Sequence, residues 1–326
     1  MIHDLKDKLD EGLIDHGQAG EVVMRFLLRM AYMDAIIREQ KDARTPNFSS
    51  GCGFVTFLTA LFADAVHSSV MNRGPDNVAK SPSALQDAFK NAVVRFTHFV
   101  KAADGAAMTT EGMTMGFLRG TAIIGHNRQE SVDIAIPILL DRNAKIEEAS
   151  MSAFLIQVKR RHHRGSVNAY LIDAEKLGFF PHDGAQNATP YVTLIAELAA
   201  KPPATWQGNV NGNGNPVRAS PRGAKAYHPR YSIRAYECTH ETWNVVCAHE
   251  CDYYTHILSL DDLLGDHPRQ DEASLQVVRQ MLPFWYWDPV WFADKAPNEA
   301  MVPQTILGEE DSESEQTDGD ERMETD

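Results

Sequence analysis

The stretch SAFLIQVKRR, residues 152–161, constrains the fold more than any other part of the chain. Its run of apolar, aromatic and β-branched residues reads as a buried β-strand. Alternation puts Phe154, Ile156 and Val158 on one face and Gln157 and Lys159 on the other, before the chain runs into basic residues. An amide and an amine two residues apart, on one face of an otherwise apolar strand, call for a chemical explanation.

The preceding segments supply strand neighbours. GTAIIGH and SVDIAIPILL are rich in β-branched residues and are separated by the turn-like NRQE. In the second of them Val132, Ile134, Ile136 and Ile138 are expected on one face and Asp133 on the other. Further upstream, residues 17–40 place Val23, Phe26, Leu27, Met30, Met33 and Ile37 at helical spacing, which predicts one buried helix face. Glu21 falls in the first turn of that helix, where the helix dipole favours a carboxylate. Residues 41–115 read as a helical insertion, built on the apolar runs FVTFLTALFADAVHSSVM and SALQDAFKNAVVRFTHFVKAA.

Downstream, YVTLIAELAA fits either a helix or a buried strand, because a short apolar run carries no decisive period. Residues 201–230, with NGNGNP and several further prolines, predict a long mobile loop. RYSIRAYEC and NVVCAH are expected as late strands and DEASLQVVRQML as a helix. The aromatic run PFWYWDPVWF lacks interleaved basic residues, so it reads as a packed cap and not as a base-stacking platform.

Charge argues against nucleic acid at first sight, since the formal net charge is −14. The last 18 residues hold ten acids and one arginine, a net of −9, which leaves −5 for the first 308. That tail cannot bury enough apolar surface to offset chain entropy and is expected to be disordered. It reads as a solubilising segment or as a polyanion that competes with nucleic acid for a basic groove. It also offers a protein partner a recruiting surface, and Ser312 and Thr317 each stand three residues before an acid. The domain reading is therefore a single domain over residues 1–308 followed by an acidic tail over 309–326.

No run of about 18 apolar residues suggests a membrane span. The N-terminus lacks a signal or transit character. Four cysteines in a chain of 326 residues are too few for a disulfide framework. These features predict an intracellular protein, nuclear or cytoplasmic.

The order is a helix with Glu21, a helical insert, a strand, a strand with Asp133, and a strand with Gln157 and Lys159. In that order the chain resembles the PD-(D/E)xK nuclease superfamily, in the D…QxK form found among Mrr-type restriction endonucleases. It is similar also to fungal nuclease-like proteins that share a GE-V-R-L helix, an IP-containing strand, ILIQVK and late HPR and PFW segments. Here the corresponding residues are Gly20, Glu21, Val22 and Arg25, then SVDIAIP, FLIQVKRR and DHPRQDEASLQVVRQMLPFW. Related domains accompany NTPase modules in Crinkler-type effectors, a contextual parallel only.

The resemblance implies an α/β (α+β) fold: a restriction-endonuclease-like mixed sheet flanked by helices. It implies catalytic positions at Asp133, Gln157, Lys159 and Glu21. Mg²⁺ or Mn²⁺ needs hard oxygen ligands. Asp133, the amide oxygen of Gln157, the backbone carbonyl of Val158 and Glu21 are the candidates. The ion would polarise a phosphate while Lys159 positions the attacking water. Arg160, Arg161 and Arg164 would grip the DNA backbone beside the site. Gln157 departs from the usual acid, which removes one negative charge and any capacity to act as a base. The implied function is therefore a Mg²⁺-dependent phosphodiesterase acting on DNA. The alternative is a catalytically inactive descendant that binds nucleic acid or a protein partner. Many nucleases of this superfamily are homodimers, although no feature of the sequence marks a dimer interface.

Two weaker motifs remain. GPDNVAKS, residues 74–81, imitates a phosphate-binding loop but lacks its strand and second glycine. Cys238, His240, Cys247, His249, Cys251 and His256 are soft metal ligands in spacings that match no common zinc finger, and Cys247 and Cys251 are compatible with one helical face.

Overall fold

The computed structural model describes residues 19–77, 83–126, 131–159, 172–175, 177–180, 188–202 and 228–259. Arg160, Arg161 and Arg164, most of the proline-rich loop, the aromatic run and the acidic tail lie outside the described residues. The chain divides into two units, residues 1–260 and 261–326, and the described residues all belong to the first.

The fold is mixed α/β. A 21-residue helix α1 (Ala19–Glu39) is followed by β1 (Cys52–Gly53), α2 (Phe54–Leu61), α3 (Asp64–Met71), α4 (Leu85–Ala88), β2 (Val93–Val94) and β3 (His98–Lys101). Then come α5 (Thr110–Arg119), β4 (Thr121–Ile124), β5 (Ile134–Leu139), β6 (Met151–Lys159), β7 (Tyr191–Glu197), β8 (Arg230–Tyr236) and α6 (Cys251–Ser259). The strands form one eight-stranded mixed sheet. β4, β5 and β6 run antiparallel in succession, and β7 and β8 join parallel to β6.

One edge of β5 is shared by two partial partners. β4 pairs with Ile134 and Ala135, whereas β2 pairs with Ile138 and Leu139. Pro137 falls in the gap between them, so its missing N–H breaks no ladder bond on that edge. This explains a proline in a strand that is buried along its length.

Each sheet face buries its own apolar cluster. On one side α1, α2 and α3 pack with Phe96 over Ile134, Ile136, Ile138, Phe154, Ile156, Val192, Leu194 and Ile233. The Phe154 ring meets Phe54 and Phe57 edge-on, at centroid distances of 5.8 and 6.5 Å. On the other side α5 covers Ala135, Leu139, Met151, Ala153 and Leu155, with Ile172, Phe179 and Phe180. Helix α5 is defined by its ends. The Thr109 hydroxyl accepts the Gly112 N–H at 3.1 Å. Gly120 takes the left-handed conformation, φ +64°, and turns the chain directly into β4.

Four sequence expectations need correction. Residues 41–115 are not a helical insertion: among the described residues three short helices lie wholly within them and α5 begins there, but β1, β2 and β3 of the same region join the sheet. The reason is local, since Val93, Val94, Thr97 and Val100 are β-branched and carry the chain into strands after α4. In α1 the buried stripe is Val23, Met24, Leu27, Leu28, Ala31, Tyr32, Ala35 and Ile36, and Ile37 is 48% exposed. The helix carries two apolar stripes, and the one containing small alanines faces its packing partners. Val132 belongs to the α5-side cluster, opposite Ile134, Ile136 and Ile138. Ser131, with φ +63°, reorients the chain just before it. NVVCAH is not a strand but leads through a 3₁₀ turn into α6. The ambiguous YVTLIAELAA segment contains the strand β7, buried throughout.

Candidate functional site

Asp133, Gln157 and Lys159 come together where β5 begins and β6 ends. The antiparallel register ends with Ile134 opposite Ile156, and Asp133, just before it, donates its N–H to the same Ile156 carbonyl at 2.8 Å. Asp133 is half-buried, and its Oδ2 accepts the Val158 backbone N–H at 2.6 Å. A side chain thus continues the pairing of β6 where β5 has stopped. The N–H and C=O of a strand residue project to the same side, so the Val158 carbonyl also points toward the β5 side. The next carbonyl, that of Lys159, turns the other way and accepts the Leu198 N–H at 3.0 Å.

Gln157 is only 5% exposed, and its Oε1 has no hydrogen-bond donor among the described residues. A buried carbonyl-type oxygen without a donor is costly. It is the ligand type that a hard cation prefers. Alternation places Gln157 and Lys159 on the sheet face of Ala153 and Leu155, as the sequence predicts.

Glu21 enters from the first turn of α1. Its carboxyl is pushed up by burial and next by the Asp133 charge, while Arg25, Lys101 and Lys159 pull it down. Asp133 is likewise raised by burial, against the Val158 hydrogen bond and the Lys159 charge, which lower it. Two carboxyl groups and Lys159 therefore share one electrostatic environment, and the carboxyls are held in a state that resists ionisation. A bound cation would relieve this.

Lys101, the last residue of β3, is a member of this environment that no sequence motif marks. The helical pattern of its segment hides its position at a strand end close enough to act on Glu21. Arg25 also belongs here; its Nε donates to the Glu21 carbonyl at 3.2 Å.

Among the described residues no group of three His, Cys, Asp or Glu side chains is placed to hold a metal ion. Glu21 and Asp133 bring two carboxylates to this region, so a cation held there would have to take its other oxygens from the Gln157 amide and the backbone. In the Cys/His segment, His240 Nδ1 lies 3.4 Å from Cys251 Sγ. Cys238 is buried, Cys247 exposed, and the Cys251 thiol points to the Cys247 carbonyl at 3.7 Å. Cys247 precedes the 3₁₀ turn and Cys251 opens α6, so they do not form one face of a continuous helix.

Residues 74–77 of the phosphate-loop imitation have a structural role instead. Asp76 pairs with Arg230 Nε at 2.8 Å, and Asn77 bonds the backbone at His228 and Arg230. No helix among the described residues is long and apolar enough to cross a membrane. Comparison of the chain with protein-family models, with curated proteins and with solved structures gave no match.

Proposed function

We propose that the chain is a divalent-cation-dependent phosphodiesterase acting on DNA, built on a restriction-endonuclease-like core. The order of α1, the antiparallel run β4–β5–β6, and β7 added parallel to β6 supports that core. The observation that carries the reading is the orphaned Gln157 Oε1, one residue before the Val158 N–H that is bonded by an Asp133 carboxylate that burial keeps reluctant to ionise.

These residues fit a hard cation. Asp133, Gln157 Oε1, the Val158 carbonyl and Glu21 would hold Mg²⁺ or Mn²⁺ through oxygen alone. When bound, such an ion lowers the pKa of a water molecule and offsets phosphate charge. The chain's own contribution is positional. Val158 N–H fixes the orientation of Asp133. Lys159 brings an ammonium beside the two carboxyls, where it would hold the attacking water and the phosphate oxygens. Gln157 orients but takes no proton, because an amide is not a base.

The test is cleavage of plasmid and single-stranded DNA by the full-length chain in Mg²⁺ or Mn²⁺, with Lys159→Ala prepared in parallel. Cleavage by the parent and not by the variant supports the reading. A folded parent that binds DNA without cleaving it supports the alternative, a nuclease fold kept for binding.

A further inference from the structure

The sheet face that carries Gln157 and Lys159 holds a buried acid that the proposed chemistry leaves unused. Glu197 closes β7 with no solvent exposure, and neither of its carboxylate oxygens has a hydrogen-bond donor among the described residues. Arg234 on β8 is a close cation, yet its Nε stands 3.8 Å from Glu197 Oε1, beyond hydrogen-bond reach. The Arg234 Nη2 is itself buried without an acceptor among the described residues. One loose ion pair does not offset the desolvation of a carboxylate.

The ladder supplies a second cation. β6 and β7 are parallel, and Lys159 is the direct register partner of Glu197. Val192, Leu194 and Ala196 point into the α1-side cluster, so alternation puts Glu197 on the opposite face, shared with Gln157 and Lys159. Tyr231, Ile233 and Ala235 point the same way as those β7 residues, which puts Arg234 on the Glu197 face too. The three charges Lys159, Glu197 and Arg234 thus alternate in sign across three neighbouring strands. On the other flank of β6 stands Asp133, whose charge Lys159 already stabilises.

We infer that Glu197 is a positioning residue of the site proposed above: as the buried register partner of Lys159 it draws the Lys159 ammonium toward the β7 side by its charge, without a hydrogen bond. The inference rests on that functional reading. It also accounts for Gln157: two residues before the lysine, β6 carries an amide and no acid, so the carboxylate that neighbours Lys159 comes from the next strand. Arg234 offsets the buried charge that remains.

The experiment uses the full chain, a fluorophore-labelled oligonucleotide and Mn²⁺, comparing wild type, Lys159→Ala, Glu197→Gln and the double variant Glu197→Gln/Arg234→Gln. Steady-state rates are read together with Mn²⁺ affinity by calorimetry. Loss of an outer partner of a reactive group is expected to lower kcat on the order of 10- to 100-fold. KM and Mn²⁺ affinity should stay unchanged in Glu197→Gln, a split that a general loss of structure would not produce. Wild-type kcat in Glu197→Gln overturns the inference and leaves the nuclease reading standing. Loss of Mn²⁺ affinity in Glu197→Gln overturns it in favour of direct ligation. If Glu197→Gln fails to fold, the double variant, which leaves no lone buried guanidinium, decides by the same kcat comparison. Wild-type protein that neither binds Mn²⁺ nor cleaves overturns the functional reading, and the role of Glu197 with it.

Discussion

Asp133 Oδ2 accepts the Val158 backbone N–H at 2.6 Å, one residue before β5 begins. The contact lets a side chain continue the bonding of β6 past the last paired residue of β5, beside Gln157 and Lys159. It also ties the candidate site to the fold, because the same carboxylate that would meet a cation completes the backbone bonding of β6.

Substitutions at Asp133 should therefore separate stability from binding. Asp133→Ala leaves the Val158 N–H without its acceptor and is expected to cost about 1–3 kcal/mol in urea unfolding. Asp133→Asn keeps an acceptor oxygen and should cost much less, while lowering Mn²⁺ affinity at least about tenfold, as a lost charged ligand should. Equal destabilisation by both variants would show that the hydrogen bond contributes nothing to stability.

The pH dependence follows from the raised carboxyls of Glu21 and Asp133. Between the unfolded and folded pKa values the native state binds more protons than the unfolded state. The metal-free protein should therefore be most stable below that window and lose this contribution as pH rises through it. Cation binding needs both groups ionised, so Mn²⁺ affinity should fall on acidification at a pH above the ordinary carboxylate range. Calorimetric titrations at stepped pH check this, and a fall only near about pH 4, the ordinary carboxylate range, would refute it.

Gln157→Glu restores a charge where the buried amide oxygen lacks a donor. Mn²⁺ affinity should increase, on the order of tenfold. The metal-free protein should lose thermal stability at neutral pH, because a third carboxylate joins two that burial already disfavours. An unchanged Mn²⁺ affinity would show that position 157 does not face the cation.

The core makes an independent prediction. Phe154 is fully buried against Phe54 and Phe57, so Phe154→Ala should cost about 3–5 kcal/mol. Gly120→Ala forces a side chain into the left-handed region between α5 and β4 and should cost about 1–2 kcal/mol. Denaturant midpoints read both, and Mn²⁺ affinity of the folded fraction should not change with either.

Local patterning was enough to place the strands around Asp133 and Gln157, the helix carrying Glu21 and the face shared by Gln157 and Lys159. All of these follow from side-chain alternation and period, which are properties of neighbouring residues. Other features depend on the assembled fold. Only packing selects which of two apolar stripes on α1 is buried, since both satisfy the helical period. Only strand pairing recruits β1, β2 and β3 from a region rich in helical patterns. Glu197 and Lys101 gain their places from register and from chain elements far apart in sequence. An acid at the end of an apolar run gives no local sign that its neighbour across the ladder is a lysine 38 residues earlier. Hydrogen-bond register is a relation between strands, and no window along one strand contains it.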